Sequence, residues 1–389
     1  MAQLVTPATR MRRTAVAALV ATALSALAVC AVASAAAESD TEFVYVGTLH
    51  QQINALHFNT STGNINDVGT VAQGLKSTWV ASHPQLPVLY AVNDDRDKEG
   101  SVTAYAVNQD NGSLTRINDV LTGGRGTTFL QFDAPSSTLL GANYNSGSVS
   151  SLAVNRDGSV GTLESTIAEK GSGPSPRQTD AHAHGVTIDP SGHYALVPDL
   201  GADRVFIYGF DRATHTLTQL DAATPRAFAL PPGSGPRRVV FGATGQYAYV
   251  LTELSAELLV LRWDAATAQL TPVQTLPISQ AGFNGVKSGA EMAMSRDGRF
   301  IYVEDRGENA LVVYRVDNTS GQLSELQRVP SGGDKPWGFA IDPSGKWLFV
   351  ANQRSGNVSL FRIDRTTGAL ADSEQSIPIP APTSITFVK

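Results

Sequence analysis

The sequence predicts an all-β protein, a seven-bladed β-propeller with four-stranded blades whose ring is closed by the C-terminal strand. Three observations predict this fold. A β-rich segment ending in a small or polar residue recurs seven times, and short strands with tight turns surround each copy. The first repeat lacks its opening strand, and the chain ends with a segment that matches the missing piece. Such even repetition is typical of propellers.

The recurring segment reads YVGT, YAVN, LGAN, LVPD, YVLT, YVED and FVAN, and the copies end at positions 48, 93, 143, 199, 252, 305 and 352. Alternating strands such as SVTAY, RVFIY and ALVVY follow, and turns such as NRDGSV and DNTSGQL come next. A strand and a turn precede the segment, most clearly in GFAIDPSGKWLFVAN. Alternation with period two and Gly-containing turns indicate strands joined as hairpins. A tandem pair of sandwiches would not give one uniform repeat.

The two ends of the repeat region predict how the ring closes. The final APTSITFVK matches the pattern of DKPWGFAID, which opens the seventh blade. The last strand is therefore expected to complete the first blade, so that no long edge remains open. We accordingly predict a single propeller domain over residues 41–389.

The N-terminus has the pattern of an export signal. Basic residues at 11–13 precede an apolar run at 14–32 and small residues at 33–37, which predicts a removed signal peptide over residues 1–37. The mature protein is then periplasmic or extracellular, with no membrane span. A retained membrane helix is the weaker interpretation, and lipid attachment at Cys30 is a minor alternative. Translation starts at Met1 or at Met11, and either start retains the signal.

Composition excludes several classes of function. Basic and acidic residues are interspersed and give a net charge of −6, which argues against a nucleic-acid partner. Cys30 is the only cysteine and lies in the signal, so the mature chain has neither a disulfide nor a thiol nucleophile. A redox propeller is disfavoured because no haem-attachment motif is present. We predict no cofactor, and the sequence does not indicate the oligomeric state.

The repeat register brings polar side chains together at one mouth of the central channel. The start of each inner strand and the end of the next strand lie at the same face. Residues fifteen before the repeat ends should therefore meet those one after them: Thr78, Thr128, His184, Arg237, Ala290 and Trp337 with Asp94, Tyr144, Leu200, Glu253, Arg306 and Gln353. Concave sites with a few convergent polar groups bind ligands, although an Arg–Glu pair in water is also a common structural feature.

The chemistry of this set suits acid–base work on an anionic or carbonyl group. Two guanidiniums bind carboxylate or phosphate, or stabilise an oxyanion. A glutamate and a histidine can transfer protons. Metal binding is weakly indicated, because His182 and His184 alternate along an extended segment and should point to opposite faces. Oxygens of Asp199, Asp203 and Glu291 add no spacing that specifies a metal, and we predict none.

Several blocks, in order, resemble the seven-bladed propeller lactonases, which include the propeller-type 6-phosphogluconolactonase and carboxymuconate cyclase. They are ANYNSGSVSSLAVNRDGSV, HAHGVTIDPSGHYALVPDLGADRVFIYGFD, GPRRVVFGATGQYAYVLTELSAELLVL, AEMAMSRDGRFIYVEDRG and KPWGFAIDPSGKWLFVANQRSGNVSLFRID. The resemblance implies catalytic residues at His184 (or His182), Arg237, Glu253 and Arg306. The chain departs from the family pattern at Arg238, where a histidine is common, and at Glu304, where a small residue is usual.

The resulting functional hypothesis is an exported lactonase that hydrolyses a small sugar-acid lactone, or catalyses the reverse cyclisation. Arg237 and Arg306 would hold the anionic or carbonyl end. Glu253 would activate water, and His184 would protonate the leaving alkoxide or steady the oxyanion, with exchanged proton-transfer roles as the alternative. We expect His182, Gln353 and Glu291 to contact substrate. A non-catalytic envelope propeller that binds a ligand or protein is the alternative from another class.

Overall fold

The structure is a computed structural model that describes residues 41–221 and 225–388 of the chain. Within these residues twenty-nine strands form seven antiparallel sheets, six with four strands and one with a short additional strand. The sheets succeed one another as the blades of a ring, which confirms the predicted all-β, seven-bladed propeller. The predicted signal at 1–37, including Cys30 and Met11, lies outside the described residues.

The first four blades take up the N-terminal half of the ring. Blade one begins with β1 (Thr41–Thr48), β2 (Gln52–Asn59) and β3 (Ile65–Gln73). Blade two consists of β4 (Val80–Ser82), β5 (Val88–Asn93), β6 (Glu99–Val107) and β7 (Leu114–Arg125). Blade three consists of β8 (Thr127–Asp133), β9 (Thr138–Asn143), β10 (Ser148–Val154) and β11 (Val160–Ala168). Blade four consists of β12 (Thr187–Ile188), β13 (Tyr194–Asp199), β14 (Arg204–Asp211), β15 (Thr216–Gln219) and the added β16 (Ala227–Ala229).

Three further blades complete the ring. Blade five consists of β17 (Pro236–Phe241), β18 (Tyr247–Thr252), β19 (Glu257–Asp264) and β20 (Gln269–Pro277). Blade six consists of β21 (Gly289–Met294), β22 (Phe300–Asp305), β23 (Ala310–Val316) and β24 (Leu323–Pro330). Blade seven consists of β25 (Pro336–Ile341), β26 (Trp347–Asn352), β27 (Asn357–Ile363) and β28 (Leu370–Pro378). The last strand is β29 (Pro382–Val388).

The last strand closes the ring as predicted. β29 is the inner strand of blade one and pairs antiparallel with β1, with Phe43 opposite Val388 and Gly47 opposite Ser384. The Thr383 hydroxyl adds a hydrogen bond to the carbonyl of Gly47 at 3.0 Å. The pairing satisfies the inner edge of β1, which would otherwise expose a row of unpaired backbone groups.

Apolar packing between neighbouring blades forms the core. Seven buried clusters occupy the seven blade interfaces. Second strands such as β9, β18 and β26 are buried along their whole length because a blade covers each face. Outer strands such as β28 are largely exposed along one face. This difference explains why second strands read as continuous apolar runs and outer strands as mixed sequence.

A recurring tyrosine links each of four blades to the next. It lies three residues before the repeat end, and its hydroxyl donates to the carbonyl of a turn glycine in the following blade at 2.9–3.1 Å. The pairs are Tyr45–Gly112, Tyr90–Gly158, Tyr249–Gly321 and Tyr302–Gly368. Each glycine lies between the third and fourth strands and has a positive φ that suits a residue without Cβ. The Tyr of YVGT, YAVN, YVLT and YVED is therefore a blade-joining residue.

Blade four differs from the others at its inner strand. β12 has only two residues, and an isolated bridge precedes it. The backbone N–H of His184 donates to the carbonyl of Pro198 at 2.9 Å. Proline has no N–H to return, so the carbonyl of His184 lacks a donor from the sheet. The segment that carries the two histidines is therefore irregular.

Tyr249→Phe should lower the free energy of unfolding by about 1 kcal/mol, because the buried Gly321 carbonyl loses its donor. The measurement is urea unfolding of purified protein. Tyr314→Phe is the matched control, since both tyrosines are 1% exposed and, within the described residues, the Tyr314 hydroxyl has no hydrogen-bond partner. Equal destabilisation by the two substitutions would contradict the assigned role of the tyrosine–glycine bond.

Candidate active site

A cavity of about 920 Å³ lies at the mouth of the central channel. Its lining includes eight of the twelve positions that the repeat register brings together: Asp94, Thr128, Tyr144, His184, Arg237, Glu253, Arg306 and Trp337. Inner strands supply their first residues to this face and second strands supply the residues after their ends. The four predicted catalytic residues therefore lie together in one cavity.

The carboxylate of Glu253 lies among three guanidiniums. Its Oε2 accepts a hydrogen bond from Arg237 at 2.9 Å, and its Oε1 forms a salt bridge with Arg306 Nη2 at 2.8 Å. Arg177 also donates to Oε1. Burial alone would raise the pKa of Glu253, but the three positive charges outweigh it and hold the pKa well below 4.5. Glu253 is therefore ionised at neutral pH.

The imidazole of His184 lies between two further guanidinium contacts. Arg237 Nη1 contacts its Nε2, and Arg238 Nη1 lies 3.2 Å from its Nδ1. Burial, reinforced by these two positive charges, lowers the pKa of His184 well below 6.5. The ring is therefore neutral at physiological pH, with Nε2 lying 3.6 Å from Glu253 Oε2. A neutral imidazole can donate one N–H hydrogen bond but does not act as a cationic acid.

Two contacts other than the ion pair with Glu253 fix the orientation of Arg306. Its Nε donates to the Ser288 hydroxyl at 3.0 Å, and its guanidinium lies 4.9 Å from the ring centroid of Trp337. A cation over an aromatic face is attracted to the negative face of the ring. These contacts hold the planar fork of Arg306 towards Glu253 at the cavity wall.

Arg238 lies behind His184 and is held on several sides. Its Nε lies 3.0 and 2.9 Å from the two carboxylate oxygens of Glu291. The guanidinium carbon is 4.9 Å from the ring of Trp79 and 4.4 Å from that of Phe129. Arg238 Nη1 also donates to the carbonyl of His184, the one that the sheet leaves without a donor. The first departure from the family pattern thus supports the backbone of the site.

The second departure from the family pattern is a fully buried carboxyl group. Glu304 is 0% exposed. Burial raises its pKa well above 4.5, the negative charge of Glu291 raises it further, and Arg237 and Arg306 offset only part of this. Glu304 is therefore protonated over a range above pH 4.5 in which an exposed glutamate is ionised. The neighbouring arginines keep an excess of positive charge as a result.

The two histidines of the HAH block do not separate as strict alternation predicts. His182 stacks on the ring of Tyr144 with centroids 4.5 Å apart, and His184 meets the same ring edge-on at 5.3 Å. Asp199 accepts the backbone N–H of His182 at 2.8 Å, and Asp203 binds backbone N–H groups of a neighbouring loop. Across residues 41–221 and 225–388, no group of three or more His, Cys, Asp or Glu is placed to hold a metal ion.

The three residues predicted to bind substrate lie outside the lining of the mouth cavity. His182 is half-buried, and its Nδ1 lies 2.8 Å from the carbonyl of Tyr144. Gln353 is half-buried, and its backbone N–H donates to the carbonyl of Lys335 at 2.9 Å. Glu291 pairs with Arg238 and lines a second cavity of about 720 Å³ with largely apolar walls.

Several cavity residues lie on loops and so escape the repeat register. They are Arg96, Arg177, Lys287, Ser288, Lys335 and Arg354. The signal that could have located Arg177 is the interval of 56 residues between repeat ends 143 and 199, the longest in the chain. The extra length forms the connection between β11 and β12, and this connection carries Arg177 to the mouth.

The fold and the site define a propeller with a cationic, carboxylate-centred cavity at the mouth of its channel. A family model described as "Lactonase, 7-bladed beta-propeller" matches residues 43–387. The chain therefore belongs to this family of propeller lactonases, which confirms the family predicted from the sequence. Within the described residues, no helix is long and apolar enough to cross a membrane.

Named relatives agree with the enzyme class predicted from the sequence, a lactone hydrolase. A 6-phosphogluconolactonase of Bacillus subtilis is 31% identical over 304 residues, which are 77% of this chain and 85% of that relative. Another, from Formosa agariphila, is 29% identical over 75% of this chain and 82% of its own. The solved structure of the periplasmic gluconolactonase of Pseudomonas aeruginosa has 31% identity and a TM-score of 0.82, with 90% of this chain and 99% of that one covered. The comparisons do not favour the non-catalytic alternative.

Glu304→Gln should stabilise the protein increasingly as pH rises above 4.5. The folded state retains a proton that the unfolded chain releases near its ordinary pKa of 4.5, so wild-type stability falls with rising pH until the folded pKa is reached. The glutamine cannot titrate, so the variant gains up to about 1.4 kcal/mol per pH unit in this window. Urea unfolding between pH 4.5 and 8 measures the difference. Exposed Glu374→Gln is the control, and a pH-independent difference for Glu304→Gln would contradict the assignment.

Proposed function

We propose that the protein is an exported lactonase that hydrolyses a small sugar-acid lactone to its hydroxy acid, and catalyses the reverse cyclisation when the equilibrium allows. The observation that carries the proposal is the ionised Glu253 carboxylate, held with guanidiniums and a neutral imidazole in the mouth cavity of a lactonase-family propeller. This set contains a proton acceptor and several donors to a developing oxyanion, which ester hydrolysis by water requires.

In the addition step, water attacks the lactone carbonyl carbon and transfers a proton to Glu253. Glu253 can accept this proton because it is ionised at neutral pH. Negative charge develops on the carbonyl oxygen, and the guanidiniums of Arg237 and Arg306 stabilise it. The two arginines are 2% and 7% exposed, so bulk water competes little for their hydrogen-bond donors.

In the elimination step, the tetrahedral intermediate collapses and the bond to the ring oxygen breaks. Protonated Glu253 returns its proton to the leaving oxygen, which yields the hydroxy acid and restores the carboxylate. The low pKa of Glu253 makes its protonated form a strong acid for this transfer. His184 is neutral, and so of its two expected roles we assign it the steadying of the oxyanion through an N–H donor rather than protonation of the alkoxide.

Export and the substrate are linked in this proposal. The pattern at residues 1–37 is that of a signal peptide, and a phosphorylated sugar lactone arises in the cytoplasm. An unphosphorylated lactone is the more accessible substrate for an exported enzyme. The relative named a periplasmic gluconolactonase supports both parts of the proposal.

The export proposal is tested on the protein as its native cell produces it. We expect a mature chain that begins near residue 38 and is recovered outside the cytoplasm. Mass spectrometry of the N-terminal peptide after cell fractionation measures both properties. A cytoplasmic chain that retains residues 14–32 would contradict export.

Glu253→Gln should lower kcat for lactone hydrolysis by about a hundredfold or more, because it removes the proton acceptor. The measurement is hydrolysis of a panel of sugar lactones by purified enzyme, corrected for spontaneous hydrolysis. Glu257→Gln, four residues further on and outside the cavity lining, is the matched control with activity near that of wild type.

The substituted site must be shown to fold, because glutamine leaves the buried arginines without their counter-charge. Circular dichroism and thermal unfolding of Glu253→Gln provide this check. Arg306→Met is the second variant, with an expected loss of about a hundredfold from removal of one oxyanion donor. Full activity in both folded variants would exclude the proposed site.

A further inference from the structure

Arg238 contacts both the backbone and the ring of His184. Its Nη1 donates to the carbonyl of His184 and lies 3.2 Å from Nδ1 of the imidazole. The same nitrogen donates to the carbonyl of Arg237 at 3.1 Å. Arg238 is 4% exposed and lies outside the lining of the mouth cavity. Its influence on a ligand in that cavity is therefore exerted through its neighbours, above all through His184.

Other contacts fix the orientation of the Arg238 guanidinium. Its Nε lies 3.0 and 2.9 Å from the two carboxylate oxygens of Glu291, which is also buried. The rings of Trp79 and Phe129 lie 4.9 and 4.4 Å from the guanidinium carbon. A planar guanidinium that is paired at Nε and covered by aromatic rings has little freedom to turn. Arg238 Nη1 is thus held close to Nδ1 of His184.

The two nitrogens of the His184 ring have different surroundings. Within the described residues, the side chains whose polar groups reach Nδ1 are arginines, with Nη1 of Arg238 at 3.2 Å and Nη1 of Arg237 at 3.5 Å. A guanidinium has no acceptor, so these contacts favour a lone pair on Nδ1. Nε2 contacts Arg237 as well, but it also lies 3.6 Å from the carboxylate oxygen Oε2 of Glu253. A hydrogen on Nε2 is attracted to this negative charge, whereas a lone pair there is repelled.

Nε2 is the ring nitrogen that faces the reacting groups of the proposed mechanism. It lies beside Arg237, which stabilises the oxyanion, and beside Glu253, which accepts the proton. A ring with its hydrogen on Nε2 can donate to the oxyanion. A ring with its hydrogen on Nδ1 turns a lone pair towards the same negative charge, which raises the barrier. The choice between two neutral forms of the ring therefore decides whether His184 assists the reaction.

We propose that Arg238, held by Glu291, is a positioning residue that keeps the hydrogen of neutral His184 on Nε2, so that this N–H is available to the oxyanion. The inference rests on the proposed lactonase function of the mouth cavity. It gives Glu291 a role that is compatible with its place outside that cavity, because Glu291 acts through Arg238 and not through the substrate. A guanidinium suits this task because it stays protonated and has no lone pair that could accept a hydrogen from Nδ1.

The tautomer of His184 is measured by correlation NMR, at neutral pH, of protein with isotope-labelled histidine rings. The His184 signals are those that disappear in His184→Gln. Wild type should show a protonated Nε2 and an unprotonated Nδ1. In Arg238→Met the ring should carry its hydrogen mainly on Nδ1, because Nδ1 loses its nearest donor while Arg237 Nη1 remains as a donor to Nε2.

Lactone hydrolysis by the same proteins gives the second measurement. Arg238→Met should lower kcat by about threefold to tenfold, in step with the remaining fraction of the Nε2–H form, because only that form donates to the oxyanion. KM should change by less than about twofold, since Arg238 does not line the cavity. Arg238→Lys retains the charge but lacks the fork that reaches Glu291 and His184 together, so it should recover only part of kcat.

The variants must also be folded and compared with a matched control. Removal of Arg238 leaves Glu291 buried without its counter-charge, which is destabilising. Arg238→Met combined with Glu291→Leu removes both charges and is the second variant, and circular dichroism checks the fold of each. Arg212→Met is the control, because Arg212 also pairs with a carboxylate, that of Asp133, at 2.9 and 2.7 Å, and neither residue lines the mouth cavity or the second cavity. It should leave the His184 tautomer and kcat unchanged.

The loss of the Nε2–H form together with the fall in kcat supports the proposal. A hydrogen on Nδ1 in wild type overturns it. An unchanged tautomer in the folded variants also overturns it, even where kcat falls, because Arg238 would then have a merely structural role. A changed tautomer with wild-type kcat overturns the link to the oxyanion. Absence of lactone hydrolysis by wild type overturns the proposed function instead, and the NMR measurement then still decides whether Arg238 sets the tautomer.

Discussion

The site depends on one carboxylate, that of Glu253, which forms ion pairs with three guanidiniums from different parts of the ring. Arg237 begins blade five, Arg306 follows the second strand of blade six, and Arg177 lies on the connection into blade four. Glu253 therefore stabilises the closely spaced positive charges that a site for oxyanions requires. Like charges at such distances would repel each other strongly in a low-dielectric interior without a shared counter-charge.

Neighbouring contacts make this crowded arrangement specific. Ser288 and Trp337 orient Arg306, whereas Trp79 and Phe129 cover Arg238 on its aromatic side. Ion pairs alone are poorly directional, but a planar guanidinium held between aromatic rings and hydroxyls has few alternative orientations. The excess of positive charge persists because Glu304 remains protonated in its buried position. The channel mouth therefore carries an excess of positive charge before any ligand enters.

The regular spacing of the repeats made most of the site residues predictable. The loops and side-chain pairings that do not follow this spacing could not be predicted. The repeat register located His184, Arg237, Glu253 and Arg306, because strand ends fall at fixed intervals and meet at one face. It gave no account of Arg177, whose loop belongs to no strand. Nor could it show that Glu291 lies in the second cavity, since that depends on the pairing with Arg238. Side-chain pairing and loop paths are tertiary properties that a register does not encode.

Closure by β29 makes the N-terminal blade the last one that can be finished. Phe43 pairs with Val388, so the two ends of the described chain have to meet before blade one is complete. Contacts this distant in sequence form slowly, because the ends of a long chain must first come together. A nascent chain therefore stays open until synthesis is nearly complete. Such a delay suits the proposed export, because a ring that closed before translocation could not enter a narrow pore.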